Sequence, residues 1–74
     1  MPRSEQRAEV MTLLSQMADK FNSLADDHER MASLLGQIPA LRDAAPRWRT
    51  AAERYRVDKH ALRSILEKMV GAHE

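Results

Sequence analysis

The chain has no cysteine among its 74 residues, which excludes disulfide bonds and thiolate metal ligands as sources of stability. One Trp, one Tyr and one Phe are too few for the aromatic platforms on which single-stranded nucleic acids stack. Two glycines and three prolines leave most of the sequence uninterrupted, and no glycine-rich phosphate-binding loop is present. The composition that remains is typical of long amphipathic helices.

The features expected of an enzyme or a membrane protein are also missing. No apolar run approaches the ~20 residues of a membrane span, and no apolar signal-peptide core follows the first arginine. The three histidines lack metal-ligand spacing, and no nucleophile is paired with a base. We therefore expect a cytoplasmic protein that is not an enzyme. Catalytic residues, metal, cofactor, small-molecule substrate and membrane contact are expected to be absent.

Interior-type residues recur along the first half of the chain at alternating steps of four and three. This mean period of 3.5 is typical of a helix that packs along another helix. Ser4 suits an N-cap and Gly36 suits a helix end, so the sequence predicts one long amphipathic helix up to residue 36. So small a chain cannot bury so long a stripe alone, and we predict a homodimer or a higher oligomer. The predicted dimer interface comprises Val10, Leu14, Met17, Phe21, Leu24, His28, Met31 and Leu35, and the series continues to Ile38.

The second half repeats this rhythm after a connector bounded by prolines. Residues 37–45 are the predicted connector, with a short helical turn near 40–44, and residues 46–74 form a C-terminal helical unit. Either a single helix continues to about residue 70, giving an α-hairpin, or the chain turns near Arg56 and Val57. Val57 would be exposed on a continuous helix and buried in a turn, and we favour the turn. The series with the same spacing is Leu41, Ala45, Trp48, Ala52, Tyr55, Lys59, Leu62, Leu66 and Met69.

The predicted fold is thus all-α, a single domain over residues 1–74 that assembles as a dimeric helical bundle. Burying a Leu or a Phe in such a core is worth about 1.5–3 kcal/mol. On this reading, Leu24→Asp abolishes folding and assembly together. The expected interior comprises Val10, Leu14, Met17, Phe21, Leu24, Met31, Leu35, Trp48, Ala52, Tyr55, Leu62, Ile65, Leu66 and Met69.

Charge is divided unevenly between the two halves. Residues 1–41 carry four basic and six acidic side chains, a net of −2, and residues 42–74 carry eight basic and five acidic ones, a net of +3. A basic C-terminal half could face phosphate, an acidic protein surface or water.

The segment from Trp48 to Leu66 resembles the helix-turn-helix unit of bacterial transcription regulators. Ala52 stands where the two helices of such a unit cross, Val57 is the apolar residue of the turn and Asp58 caps the next helix. Arg56 occupies the turn position where the family usually has glycine. The buried positions of the second helix are matched by Leu62 and Ile65, and Tyr55 closes the core of the first.

The resemblance implies a small dimeric regulator that binds duplex DNA. Its phosphate contacts would be Arg47, Arg49, Arg54 and Arg56, and its residues toward the major groove would be Lys59, His60, Arg63 and Ser64. In the alternative interpretation these side chains only solvate a helical hairpin. That hairpin would be a protein–protein interaction module, an adaptor, antagonist or assembly factor that docks a partner's helix.

His28 is the polar member of the first series and has three interpretations. In the first, it is buried across the dimer axis and sets the register of the dimer. In the second, it lies at the edge of the bundle with its ring partly in water and has no such role. The run Asp27-His28-Glu29, followed by Leu34, also resembles the phosphoacceptor box of histidine-kinase dimerisation hairpins. That resemblance implies an exposed, phosphorylatable His28 in a four-helix dimer, although Ser33 replaces the family's proline.

Overall fold

The computed structural model describes residues 2–71, and the side chains of residues 4–71. It consists of helix α1 (Pro2–Gly36), a 3-10 helix (Pro39–Ala44) and helix α2 (Ala45–Gly71). The all-α prediction is confirmed, and the described part of the chain contains no strand. The two long helices lie side by side in a rod of 58 × 15 × 11 Å.

Helix α1 ends where the sequence predicts and begins earlier. Ser4 lies inside the first turn instead of capping it, because the helix already includes Pro2. Gly36 is the last residue of α1, although neither described glycine has a positive φ. The N–H groups of Gln37 and Ile38 donate to the carbonyls of residues 34 and 35 at 3.1 Å. These tightened turns satisfy carbonyls that the helix end leaves without partners.

The connector is short and hydrogen-bonded. Ile38 is extended, with φ −105° and ψ 110°, as expected of a residue before proline. Pro39 then opens the 3-10 helix, which falls where a helical turn was predicted. Arg42 Nε donates to the Gly36 carbonyl at 3.3 Å. The connector therefore reverses the chain tightly enough to bring α2 back along α1.

Helix α2 is continuous, so the favoured break near Arg56 and Val57 is wrong. The helix runs from Ala45 to Gly71, and Val57 is 66% exposed, as predicted for an uninterrupted helix. The spacing of its half-buried residues explains why no turn forms. Tyr55 and Lys59 are four residues apart, so on one continuous helix they lie on the same face, and both face α1.

The two helices are antiparallel, and aromatic contacts define their register. The ring centroids of Phe21 and Tyr55 are 5.7 Å apart, and those of His28 and Trp48 are 5.0 Å apart. Midway between these pairs, Ala25 comes level with Ala52, and these two residues are 1% and 0% exposed. One heptad further, the same register brings Ala32 level with Ala45, and both are buried. Alanine at these levels lets the two backbones approach closely.

The face of α1 that packs on α2 differs from the predicted one at every second position. We call the observed face the inner seam. It keeps the predicted residues Leu14, Phe21, His28 and Leu35, which are half-buried. The remaining predicted positions are each replaced by the residue that follows them. The inner seam comprises Met11, Leu14, Ala18, Phe21, Ala25, His28, Ala32 and Leu35.

This shift corrects the predicted interior. Val10, Met17, Leu24 and Met31 are 37–43% exposed, and Ile65 is 47% exposed. Ala52 is buried as predicted. The other predicted interior residues are half-buried, namely Leu14, Phe21, Leu35, Trp48, Tyr55, Leu62, Leu66 and Met69.

The hairpin has a thin core. Every buried residue between positions 4 and 71 is an alanine. The radius of gyration is 17.0 Å, whereas a compact globule of this length would have about 11 Å. A single layer of two helices therefore leaves much of its apolar surface uncovered.

Candidate interaction surface

One flank of the hairpin is polar, and ion pairs and hydrogen bonds of its side chains connect the two helices. Arg56 Nη1 donates to Glu29 Oε1 at 2.6 Å, and Arg56 Nη2 lies 3.6 Å from Asp26 Oδ1. Lys59 Nζ donates to Asn22 Oδ1 at 3.0 Å on the same flank. At the far end of the hairpin, Arg7 donates to the carbonyl of Met69. The basic second half of the chain thus meets the acidic first half within one molecule.

Arginines seven residues apart extend this flank in both directions from Arg56. Arg49 is close enough to Glu29 to lower the pKa of that carboxyl further, after the larger effects of Arg56. Arg63 lines a shallow hollow together with Asp19. The charge asymmetry seen in the sequence therefore has an intramolecular explanation, because a row of arginines on α2 runs beside a row of carboxylates on α1.

The residues predicted to contact DNA do not form a single face. Arg56 and Lys59 are half-buried and bonded to α1. The remaining six are exposed on α2, and the turn that would present them as a recognition helix is absent between residues 45 and 71. These six are Arg47, Arg49, Arg54, His60, Arg63 and Ser64.

His28 lies inside the hairpin, in a cluster with Trp48 and Tyr55. Its ring centroid is 5.0 Å from those of both residues, and its Nδ1 lies 2.7 Å from the Leu24 carbonyl oxygen. Because a carbonyl only accepts, Nδ1 carries the proton in this contact. The predicted roles in dimer register and phosphoacceptance both place His28 elsewhere, whereas here its half-buried ring packs against α2 of the same chain.

A second seam on α1 is apolar and lies beside the inner seam, on the side that α2 leaves uncovered. We call it the outer seam: each of its first eight positions precedes an inner-seam position by one residue, and Ile38 extends it. Its seven large apolar side chains are 37–50% exposed, and the two interruptions are Lys20 and Asp27. The outer seam comprises Val10, Leu13, Met17, Lys20, Leu24, Asp27, Met31, Leu34 and Ile38.

Sequence reasoning did not separate these two seams. The predicted interface contains the large apolar residues Leu24 and Met31, whereas the alanines that follow them are the residues that pack on α2. The missed signal is the recurrence of alanine every seven residues, at positions 18, 25 and 32 of α1 and at 45 and 52 of α2. Helix α1 thus carries two adjacent seams, and α2 packs on one of them.

Neither a metal-ligand cluster nor a membrane-spanning helix is found in the described part of the chain. Among residues 2–71 no group of three or more His, Asp or Glu side chains could hold a metal ion. Neither described helix has a stretch long and apolar enough to cross a bilayer. The extended apolar surface is therefore the feature of the hairpin that most needs a functional explanation.

Comparison of the chain with known protein families, with curated proteins and with solved structures finds no match. The function is accordingly inferred from the geometry of the hairpin.

The Arg56–Glu29 pair predicts a specific dependence of stability on pH. Its hydrogen bond from Arg56 lowers the pKa of Glu29 below the usual range of a glutamate. A lowered carboxyl pKa stabilises the fold above the unfolded-state pKa, and this contribution is lost as the pH falls through the folded-state pKa. We expect Glu29→Gln to lower the melting temperature slightly at pH 7, and this effect to shrink as the pH falls below 4.5 toward 3. Both side chains of the pair are solvent-accessible, so the difference should also shrink in high salt.

Thermal unfolding of both proteins, followed by circular dichroism at the two pH values, checks this. Glu9→Gln serves as the control, since Glu9 is exposed and lies off the polar flank and off both seams of α1. A Glu29→Gln effect that persists unchanged near pH 3 would contradict the role assigned to this carboxylate.

Proposed function

We propose that this chain is a helical-hairpin protein–protein interaction module, and that it docks an amphipathic helix on the outer seam of α1. The observation that carries the proposal is the outer seam, in which six large apolar side chains of α1, and Ile38 just beyond its end, are exposed. Residues at i, i+3, i+4 and i+7 are the anchors by which helices recognise one another in grooves and bundles. The inner seam is already occupied by α2.

The thin core supports the same proposal. A hairpin whose buried residues between positions 4 and 71 are all alanines removes little apolar surface from water. Small domains of this kind need help from disulfides, metals or association. With no cysteine available, a third helix over the outer seam is the natural source of further burial.

The proposed role of duplex DNA binding has weaker support. It requires basic side chains that are free to meet phosphates, and Arg56 and Lys59 are bonded to Glu29 and Asn22. Titration of a DNA duplex at two salt concentrations tests it directly. Tight binding that weakens steeply with salt would favour DNA over a protein helix as the principal ligand.

Site-specific photo-crosslinking tests the interaction module. A photoactivatable residue is placed at position 24, on the outer seam, or at position 23, which is exposed and one residue off it. In cells that express the full chain, we expect covalent products from position 24 only, with the linked peptide mapped to an amphipathic helix. Equal products from both positions, or none from position 24, would count against the proposal.

Leu24→Asp is expected to abolish docking while leaving the hairpin folded. Leu24 is 37% exposed, so a partner helix would bury the remainder, and an aspartate there would have to be desolvated. This expectation replaces the prediction that folding and assembly fail together. Sedimentation measures association and circular dichroism measures helix content, with Ser23→Asp as a control that adds the same charge off the seam. Loss of helicity in Leu24→Asp alone would show that Leu24 serves the hairpin core.

A further inference from the structure

The residues of the outer seam are arranged symmetrically about Leu24. Met17 and Met31 lie seven residues to either side of it, and Val10 and Ile38 lie fourteen residues to either side. If a second α1 ran antiparallel to the first with a two-fold axis at Leu24, each apolar residue of the seam from Leu13 to Leu34 would come within one residue of the level of another apolar residue.

The two charged residues of the seam have opposite charges and follow the same symmetry. Lys20 lies four residues before Leu24 and Asp27 lies three residues after it. In the antiparallel arrangement Lys20 of each copy therefore comes within one residue, about 1.5 Å along the axis, of the level of Asp27 in the other. Leu13 and Leu34 come together in the same way. A parallel pair in register would instead set lysine beside lysine and aspartate beside aspartate.

We propose that the helix docked on the outer seam belongs to a second copy of this chain. The two α1 helices then lie antiparallel about a two-fold axis at Leu24, and two hairpins form a four-helix bundle. This inference rests on the proposed function and names its partner. Opposite charges flanking an apolar seam are what set partner choice and orientation in paired helices, and Lys20 and Asp27 are both exposed in the single hairpin.

The exposed area of the hairpin fits such a dimer. The chain exposes 5954 Å², whereas a compact monomer of 8.5 kDa would expose about 4,700 Å². The excess of roughly 1,300 Å² is larger than the ~800 Å² that each partner buries in a standard stable interface. A two-fold axis also makes the contact self-complementary, so it closes after two copies instead of propagating into a fibre.

Charge reversal tests both the partner and the orientation. Lys20→Glu and Asp27→Lys each turn two attractive contacts per dimer into repulsive ones, and each is expected to raise the dimer Kd roughly tenfold or more in low salt. The double variant Lys20→Glu with Asp27→Lys restores both contacts and should return the Kd to that of the unmodified chain. Mixing the two single variants should likewise restore dimers, as heterodimers. Sedimentation equilibrium gives the Kd in each case.

The orientation is measured by single cysteines, for which a chain free of cysteine provides no background. Leu24→Cys is expected to form a disulfide between copies. Met17→Cys alone is not, because fourteen residues of helix, about 21 Å, separate the two thiols along the axis. A mixture of Met17→Cys and Met31→Cys should cross-link between the two variants.

The outcomes separate this inference from the proposed function. Met17→Cys cross-linked to itself, or charge reversals without effect on the Kd, would overturn the antiparallel dimer. A chain that stays monomeric, while photo-crosslinks from position 24 lead to a helix of another protein, would overturn the dimer and leave the interaction module standing. Absence of both self-association and such cross-links would remove both.

Discussion

Replacing Ala52 with leucine is expected to destabilise the hairpin by about 1–3 kcal/mol, the usual consequence of overpacking a close contact. Ala52 is 0% exposed and lies level with Ala25, which is 1% exposed. A leucine side chain has no room there unless the two helices move apart. Separation would weaken the contacts on either side of it, including that between Phe21 and Tyr55. Urea or thermal unfolding, followed by circular dichroism, measures the loss.

Ala61→Leu is the matched control for this experiment. Ala61 lies on the same helix and is exposed, and alanine and leucine have similar helix propensities. We expect its free energy of unfolding to stay within about 0.5 kcal/mol of that of the unmodified chain. If the two substitutions were equally harmful, or equally harmless, the burial of Ala52 between the helices would not limit the size of the side chain there.

Val57→Pro is expected to cost about 3 kcal/mol or more and to melt the middle of α2. Proline removes the N–H that residue 57 contributes to the helix, and its ring collides with the preceding turn. The side chain itself is 66% exposed, so the effect would come from the backbone. Loss of helix content and a lower melting temperature should appear together.

Val57→Ala separates the backbone from the side chain and tests the continuity of α2. On a continuous helix this change leaves stability unaltered or slightly higher, because alanine has the better helix propensity. In a helix-turn-helix the same change would remove a buried side chain from the turn. A loss above about 1 kcal/mol in Val57→Ala, with Val57→Pro no worse, would restore the turn and strengthen the DNA-binding proposal.

Much of the fold follows from local features of the sequence. The position of Gly36 and the two prolines at 39 and 46 indicate where α1 ends and where α2 begins, because these residues act on their own turns. The residues of α2 that face α1 are also predicted correctly from Ala45 to Met69. Lys59 is one of them, and it donates a hydrogen bond to Asn22 of α1. The turn predicted at Arg56 is absent, because the helical period that runs unbroken from Ala45 to Met69 is satisfied by one continuous helix.

The candidate site could be predicted only in part. The predicted dimer interface contains four residues of the outer seam, Val10, Met17, Leu24 and Met31. It places them together with residues that pack inside the hairpin, such as Phe21 and His28. Both sets lie on one broad apolar face of α1 and differ by a single residue in register. Periodicity alone assigns a residue to such a face without saying which half of it meets which neighbour.

The sequence by itself determined a long first helix, the connector and the face that the second half of the chain presents. Only the tertiary structure decided that this half is one continuous helix and which seam of α1 receives it. The physical reason is the close approach of two helices, which small side chains at Ala18, Ala25 and Ala32 permit. The same approach brings Arg56 within reach of Glu29. Larger side chains such as Leu24 and Met31 are thereby left outside, where they are 37% and 39% exposed.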